Sequence, residues 1–359
     1  MHHRKDFQNA VPVRDDVDVI LERWQQELPE FDASPMGTTS KPTAPMSAIP
    51  PARTAVVLNR TVVRRDSPTG RGDAVMSTAG RVLNSQSYRE RLPGPQLAGM
   101  LSCVWILQVS TGAPAYEHRT VPNGCIEIAG VLDTGLVRVA GPRRKPTLEQ
   151  VSQGVTVVGV RFRPGVAPAF LGLPAGELVD LELDLDLLWG QSAVTLGARL
   201  AEAASPEDAA IALEQEIVVR SAAAPGASPL VTEAVKRLQP WRAGNVSEVT
   251  RELFISPRQV RRHFVAALGY GPKTLQRILR FQGFLALCDD HHAGNSTLSR
   301  LAAAAGYADQ AHLTRECSQL TGLTPSAFLD EMVRSCVPTH DHAPSFAPLR
   351  RALLQPARR

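Results

Sequence analysis

Arg258, Arg261 and Arg262 stand within five residues of one another, beside Gln259, in a stretch from Leu253 to Cys288 that also holds Lys273, Arg277 and Arg280 and no acidic residue. Guanidinium groups so grouped share one chemistry, forked donation to paired acceptors: phosphate oxygens, or O6 and N7 of a guanine. A solvated basic face is the plainer use of such a run. The two readings part on whether the charges project from one side of a defined helix. A less charged set, Gln310, Ala311, Thr314 and Arg315, recurs further along the chain. His263 and His312 read as packing or capping residues. Cys288-Asp-Asp-His291-His292 and Cys336, His340 and His342 bring thiols close to imidazoles, but neither spacing is that of an ordinary zinc finger and both segments read as solvated loops, so no metal and no other cofactor is expected.

Helices must position these groups, and their signals are local. Ser256-Pro257 offers a capping oxygen followed by a proline where a helix lacks a partner for that N–H anyway. From there to Leu268, before Gly269, Val260, Phe264 and Leu268 share one face at 100° per residue, while Arg258, Arg261 and Arg262 fall within an arc of about 100° opposite. Asn245 to Glu248 opens a short helix ending near Leu253. Two helices about three residues apart, the second loaded with arginine at its start, have the geometry of a helix-turn-helix. The pattern then repeats at an offset of 53 residues: Ser256 maps onto Asp309, Val260 onto Leu313, Arg262 onto Arg315, Phe264 onto Cys317, Gly269 onto Gly322 and Pro272 onto Pro325. An internal duplication is the best reading. Its second unit runs from Thr297 to Ala305 and from Asp309 to Thr321. Between the units a helix from Thr274 to about Cys288 packs through Leu275, Ile278, Leu279 and Phe281 and leaves Arg277 and Arg280 wet.

The rest of the 359 residues sets the frame. At roughly 100 to 200 residues per domain the length allows about two domains, and 43% apolar content is ordinary for a globular core. No run approaches the roughly 18 apolar residues of a membrane span, and the start lacks the apolar stretch of a secretory signal, so a cytoplasmic location is expected. Residues 1–85 carry eight prolines within the first 80 positions and no aromatic between Asp32 and Ser87, which reads as a disordered extension. Val17, Ile20, Leu21, Trp24 and Leu28 mark one short helical face within it, and Met76 is a second candidate start. Residues 86–220 read as a small β-barrel or sandwich, with strands at Leu101 to Val109, Cys125 to Leu132, Leu136 to Ala140 and Val155 to Phe162, followed by helices from Leu181 to Arg220. Residues 171–220 hold ten acidic and two basic residues, which should repel nucleic acid. A linker follows at 221–229, then the duplicated all-α domain at 230–333 and a basic flexible tail at 334–359. The fold class is α+β, multidomain.

At Ile255 to Phe264 with Gly269 to Lys273, and at Gly306 to Arg315 with Gly322 to Pro325, the sequence resembles the AraC/XylS family of bacterial transcriptional regulators. The resemblance covers about Leu230 to Met332. It implies a seven-helix domain that places two recognition helices in successive major grooves of double-stranded DNA, with Lys273 near the start of the linker helix at phosphate or solvent. Phe254, Thr250 and Cys317 depart from the family's usual glycine, alanine and phenylalanine. The upstream half is more weakly similar, through Val157 to Gly165, Pro122 to Gly124 and Leu188 to Gly190, to an uncharacterised domain found ahead of such DNA-binding domains. The DNA-contacting set expected is therefore Arg258, Gln259, Arg261, Arg262, Gln310, Ala311, Thr314, Arg315 and Lys273, on a protein that is not an enzyme. RNA polymerase, a small-molecule effector and a second copy of the chain are further partners compatible with this reading, a membrane is not. Trp105, Trp189, Arg161 and Arg163 could line an anion pocket, but a core role for the tryptophans and a rim role for the arginines are the default readings. The competing reading is a DNA-repair methyltransferase with a reactive cysteine, but Cys103 and Cys125 lie in apolar strand-like surroundings that suit inert thiols.

Overall fold

β-branched and aliphatic residues crowd the runs between turn residues after position 85, and these runs pair into sheets. The computed structural model describes residues 86–112, 116–242, 246–253, 255–291, 297–335 and 339–354. The Val17 to Leu28 helical face and the rest of the extension lie outside the described residues, as do Phe254, His292 and Cys336. Strands β1 (Gln86–Arg91), β2 (Leu101–Val109), β4 (Glu127–Val131), β5 (Leu136–Ala140), β7 (Thr156–Phe162), β8 (Glu182–Asp184) and β9 (His340–Asp341) form a seven-stranded sheet in the order β8-β5-β4-β7-β2-β1-β9. Strands β3 (Tyr116–Thr120) and β6 (Thr147–Val151) form a second, two-stranded sheet.

Register gives the large sheet two unlike faces. Val104, Val160, Ile128 and Val139 lie opposite one another across four strands, as do Ile106 and Val158 in the next row, and all are buried. This face meets Leu196 and Leu200 of α3 (Gln191–Ala201) and Leu213 and Ile217 of α4 (Pro206–Ser221); short helices α1 (Pro168–Leu171) and α2 (Asp186–Trp189) precede them. A Cβ on Gly130 would come within 2.3 Å of Leu200 Cδ1, so any larger residue there would push that side chain aside. Each fully buried aliphatic or aromatic side chain contributes about 1.5 to 3 kcal/mol. The opposite face, one register step away, carries Tyr88, Glu90, Cys103, Trp105, Glu127 and Arg161. Leu181 to Arg220 is therefore not helical throughout: β8 occupies Glu182–Asp184, pairing with the edge of β5.

Seven helices follow: α5 (Pro229–Arg237), α6 (Val246–Glu252), α7 (Pro257–Leu268), α8 (Pro272–His291), α9 (Leu298–Ala304), α10 (Gln310–Thr321) and α11 (Pro325–Ser335). One apolar core unites them, centred on Phe264, Phe281 and Phe284, and Pro122 to Gly124 of the first half packs on α8 through a hydrogen bond from Gln282 to the Pro122 carbonyl. The tail corrects the expectation of flexibility. His340–Asp341 adds to β1 as a parallel strand, and α12 (Ala343–Leu354) packs on α8 with Phe346 buried. Phe346, Leu349 and Leu353 share one helical face, an apolar stripe within a basic segment. Cys288 and His291 are likewise helical, and Cys288 is buried, so this pair is no solvated loop.

Candidate nucleic-acid interface

The first unit is built from its cap outward. Ser256 accepts from the Gln259 amide, and the Gln259 side chain accepts in return from the Ser256 N–H, at 3.0 Å, and hydroxyl, at 2.9 Å. That capping box starts α7 where Pro257 can be its first residue. Val260, Phe264 and Leu268 enter the core, and Gly269, at φ 81°, ends the helix in the left-handed conformation that glycine adopts without strain. Arg258, Arg261 and Arg262 are exposed, and among the described residues none of the three joins an ion pair. Gln259 is exposed too, but its oxygen is committed to the cap. Lys273 is exposed at the start of α8.

The second unit follows the same plan with different residues. Asp309 caps α10, its carboxylate accepting from the His312 amide at 2.6 Å, and Gly322, at φ 79°, ends it. Leu313, Cys317 and Leu320 face the core. Cys317, where the family usually has a larger phenylalanine, is fully buried, and its sulfur lies 3.6 Å from the Thr321 hydroxyl. Gln310, Ala311 and Arg315 are exposed; Thr314 is half-buried and donates back to the Gln310 carbonyl at 2.9 Å.

Two residues, Arg277 and Arg280, behave otherwise than the sequence suggests. Glu316 of α10 is buried, and its carboxylate lies 3.5 Å from Arg277, 3.5 Å from Arg280 and 3.2 Å from His312. Arg277 also donates to Gln319. Arg277 and Arg280 are therefore not simply wet: they tie α8 to α10. Their i,i+3 spacing on α8 was a signal for this, but the partner, 36 residues beyond Arg280, has no local signature.

The candidate anion pocket does not assemble. Arg161 donates to Glu127 and Glu90, both at 2.8 Å, and to the Tyr88 hydroxyl, so its charge is already answered by two carboxylates. Trp189 sits elsewhere, donating to the Phe170 carbonyl beneath Arg220, and Arg163 donates to the Ala98 carbonyl. Burial pushes the Cys103 and Cys125 thiols up to about 12 and that of Cys317 up to about 11, which keeps all three protonated and weakly nucleophilic. Among the described residues no group of three metal-ligating side chains forms, and no helix is long and apolar enough to cross a membrane. The acidic stretch is largely answered as well: Glu207 pairs with Arg89, Glu214 with Arg91, Asp180 with Arg144, and Glu182 and Asp184 with Arg138.

Residues 249–331 match a family described as a helix-turn-helix domain, of the AraC type, and residues 89–184 match a domain of unknown function, DUF6597. The first match supports a DNA-binding transcription regulator. No curated protein matches the chain. Among solved structures, apo ToxT from Vibrio cholerae shares 13% identity over 67% of this chain and 99% of its own, with a TM-score of 0.38. Unsaturated fatty acid-bound ToxT shares 11% over 60% and 92%, with a TM-score of 0.36. A likeness of this size carries no inference about what this chain binds.

Proposed function

We propose that this chain, which carries an AraC-type helix-turn-helix domain behind a domain of unknown function, is a sequence-specific transcription regulator that sets α7 and α10 into successive major grooves on one side of a DNA duplex. The observation that carries this reading is the pair of capped helices, 53 residues apart in sequence, each with a buried apolar face and an exposed polar one. Arg258, Arg261 and Arg262 are the base readers of the first groove, and Gln310, Ala311 and Arg315 meet the second. Lys273 neutralises phosphate. Gln259 and Thr314 are left out of base reading, since each side chain already serves its own helix. The first domain, packed against the helices, is the regulatory half through which an effector or a second copy of the chain would act.

Site selection from a randomised duplex tests the reading. The full chain should enrich a defined sequence with two separated elements. Arg261→Ala and Arg262→Ala should each cost about 1 to 3 kcal/mol and relax preference at one or two base pairs. If both lower affinity without changing the selected sequence at any position, α7 is an electrostatic clamp and not the reader.

A further inference from the structure

The two helix-ending glycines that correspond in the duplication, Gly269 and Gly322, both lie against the first domain, and against the same loop of it. A Cβ added to Gly269 would stand 2.5 Å from Val179 Cγ2, 2.8 Å from Pro142 Cγ and 3.0 Å from the Ala175 carbonyl. One added to Gly322 would stand 3.9 Å from Arg119 Nη1 and 4.0 Å from Pro146 Cγ. Pro142 and Pro146 belong to the connection between β5 and β6, and four peptide units bridge at most about 14 Å. One short loop thus touches the C-terminal ends of both recognition helices.

The loop is built to hold its shape. A Cβ on Gly141 would fall 1.7 Å from the Leu178 carbonyl, so only glycine fits. Gly141 donates to the Leu181 carbonyl at 2.9 Å, and Asp180 donates to that of Pro142 at 3.1 Å. The Asp180 carboxylate accepts from the Arg144 amide at 2.6 Å and from its Nε at 2.8 Å. Asp180 does this at φ 59°, the one non-glycine residue in the left-handed region among the described residues. Such a conformation persists only where its surroundings over-determine it. Both prolines fix their own φ.

Arg119 of β3 completes the second contact. Its Nη1 donates to the Thr321 carbonyl, the last of α10, at 2.9 Å, and its Nε and Nη2 fork onto the two oxygens of Glu331 on α11. A guanidinium at a helix C-terminus meets an orphan carbonyl and the negative end of the helix dipole together. The Arg119 side chain is 13% exposed and that of Glu331 28%.

We infer that the loop Gly141–Pro146 and Arg119 form a ruler: they fix the separation of α7 and α10, and with it the spacing between the two DNA elements that the chain accepts. The inference rests on the proposed function and names its spacing-determining residues. Without the ruler, the separation would rest on α8, the core that α7 and α10 share, and the Glu316 pairs with Arg277 and Arg280. Arg119 is a positioning residue that touches no DNA.

The test uses the full chain and the duplex it selects, in a series with one base pair inserted or removed between the two elements. Each step shifts the second element by about 3.4 Å and a tenth of a turn. The wild type should lose about tenfold or more in affinity per step, the cost of roughly one spoiled base contact. Arg119→Ala should flatten this dependence to within about threefold, and Arg119→Lys, which keeps the charge and loses the fork, should fall between. Glu331→Gln, nearly isosteric, should flatten it partially, and it carries the test if Arg119→Ala does not fold. Amide hydrogen exchange should quicken at Gly322 and Leu323 in Arg119→Ala, with Gly269 unchanged. A wild type with a flat spacing profile, or an Arg119→Ala variant as steep as the wild type, overturns the ruler alone. A wild type that enriches no sequence at all overturns the proposed function, and the ruler with it.

Discussion

At the scale of single residues, charge has been divided between two tasks. Arg258, Arg261 and Arg262 are exposed and unpaired within the described chain, while Arg119, Arg161 and Arg280 are sunk among carboxylates and carbonyls. Alanine substitution should separate the groups. Lys273→Ala should weaken binding to all sequences alike and reduce the salt slope by up to about one unit, unlike the arginine substitutions in α7. Glu316→Ala should act on stability instead. It strips Arg280 and Arg277 of their shared partner, and thermal unfolding should register a loss of about 1 to 3 kcal/mol. The first set was legible from the sequence because helical spacing alone decides which side chains share a face. The second was not, because each partner comes from a distant element. Arg280 and Glu316 lie 36 residues apart, Arg119 and Glu331 more than 200.

At the scale of elements, local signals and local structure agree closely in the C-terminal half. The helix starts at Ser256 and Asp309 and the stops at Gly269 and Gly322 stand where capping chemistry puts them. Ser256→Ala removes a capping box that serves a helix of only 12 residues. It should cost about 1 kcal/mol in urea unfolding, with Asp309→Ala costing a similar amount. Strand signals were equally local: β2 and β5 occupy Leu101–Val109 and Leu136–Ala140, the runs their apolar residues mark. The tail was misread because Phe346, Leu349 and Leu353 make only one short apolar face in a basic, proline-bearing segment. Their value depends on α8 offering a face to cover. Truncation after Arg334 should accordingly lower the melting temperature of the whole molecule, where loss of a flexible tail would leave it unchanged.

At the scale of the whole molecule, β9 and α12 carry the chain's end back onto the polar face of the first sheet. Ser345 donates its amide to Glu90 at 3.1 Å, and Arg161 donates to the Ser345 hydroxyl. Burial would raise the Glu90 carboxyl, but His342, Arg161 and Ser345 outweigh it and hold it at about 2. Nearby, burial lowers His118 to about 4, and burial with the charge of its histidine neighbours lowers His340 to about 3. An imidazole with a folded value below its unfolded 6.5 binds its proton better when the chain is unfolded, so acid favours unfolding. Stability should therefore fall as pH drops from about 6.5 toward 4, and a melting series of His340→Asn should show a shallower decline. The sequence by itself determined the helices, their caps, the duplication and the arginine face, because each depends on residues a few positions apart along one backbone. Tertiary structure alone decided which arginines are spent on carboxylates, that residues 340–354 hold a strand and a helix, and that one loop of the first domain reaches the ends of α7 and α10. Those outcomes depend on which distant surfaces meet, and burial and ion pairing acquire their energies only there.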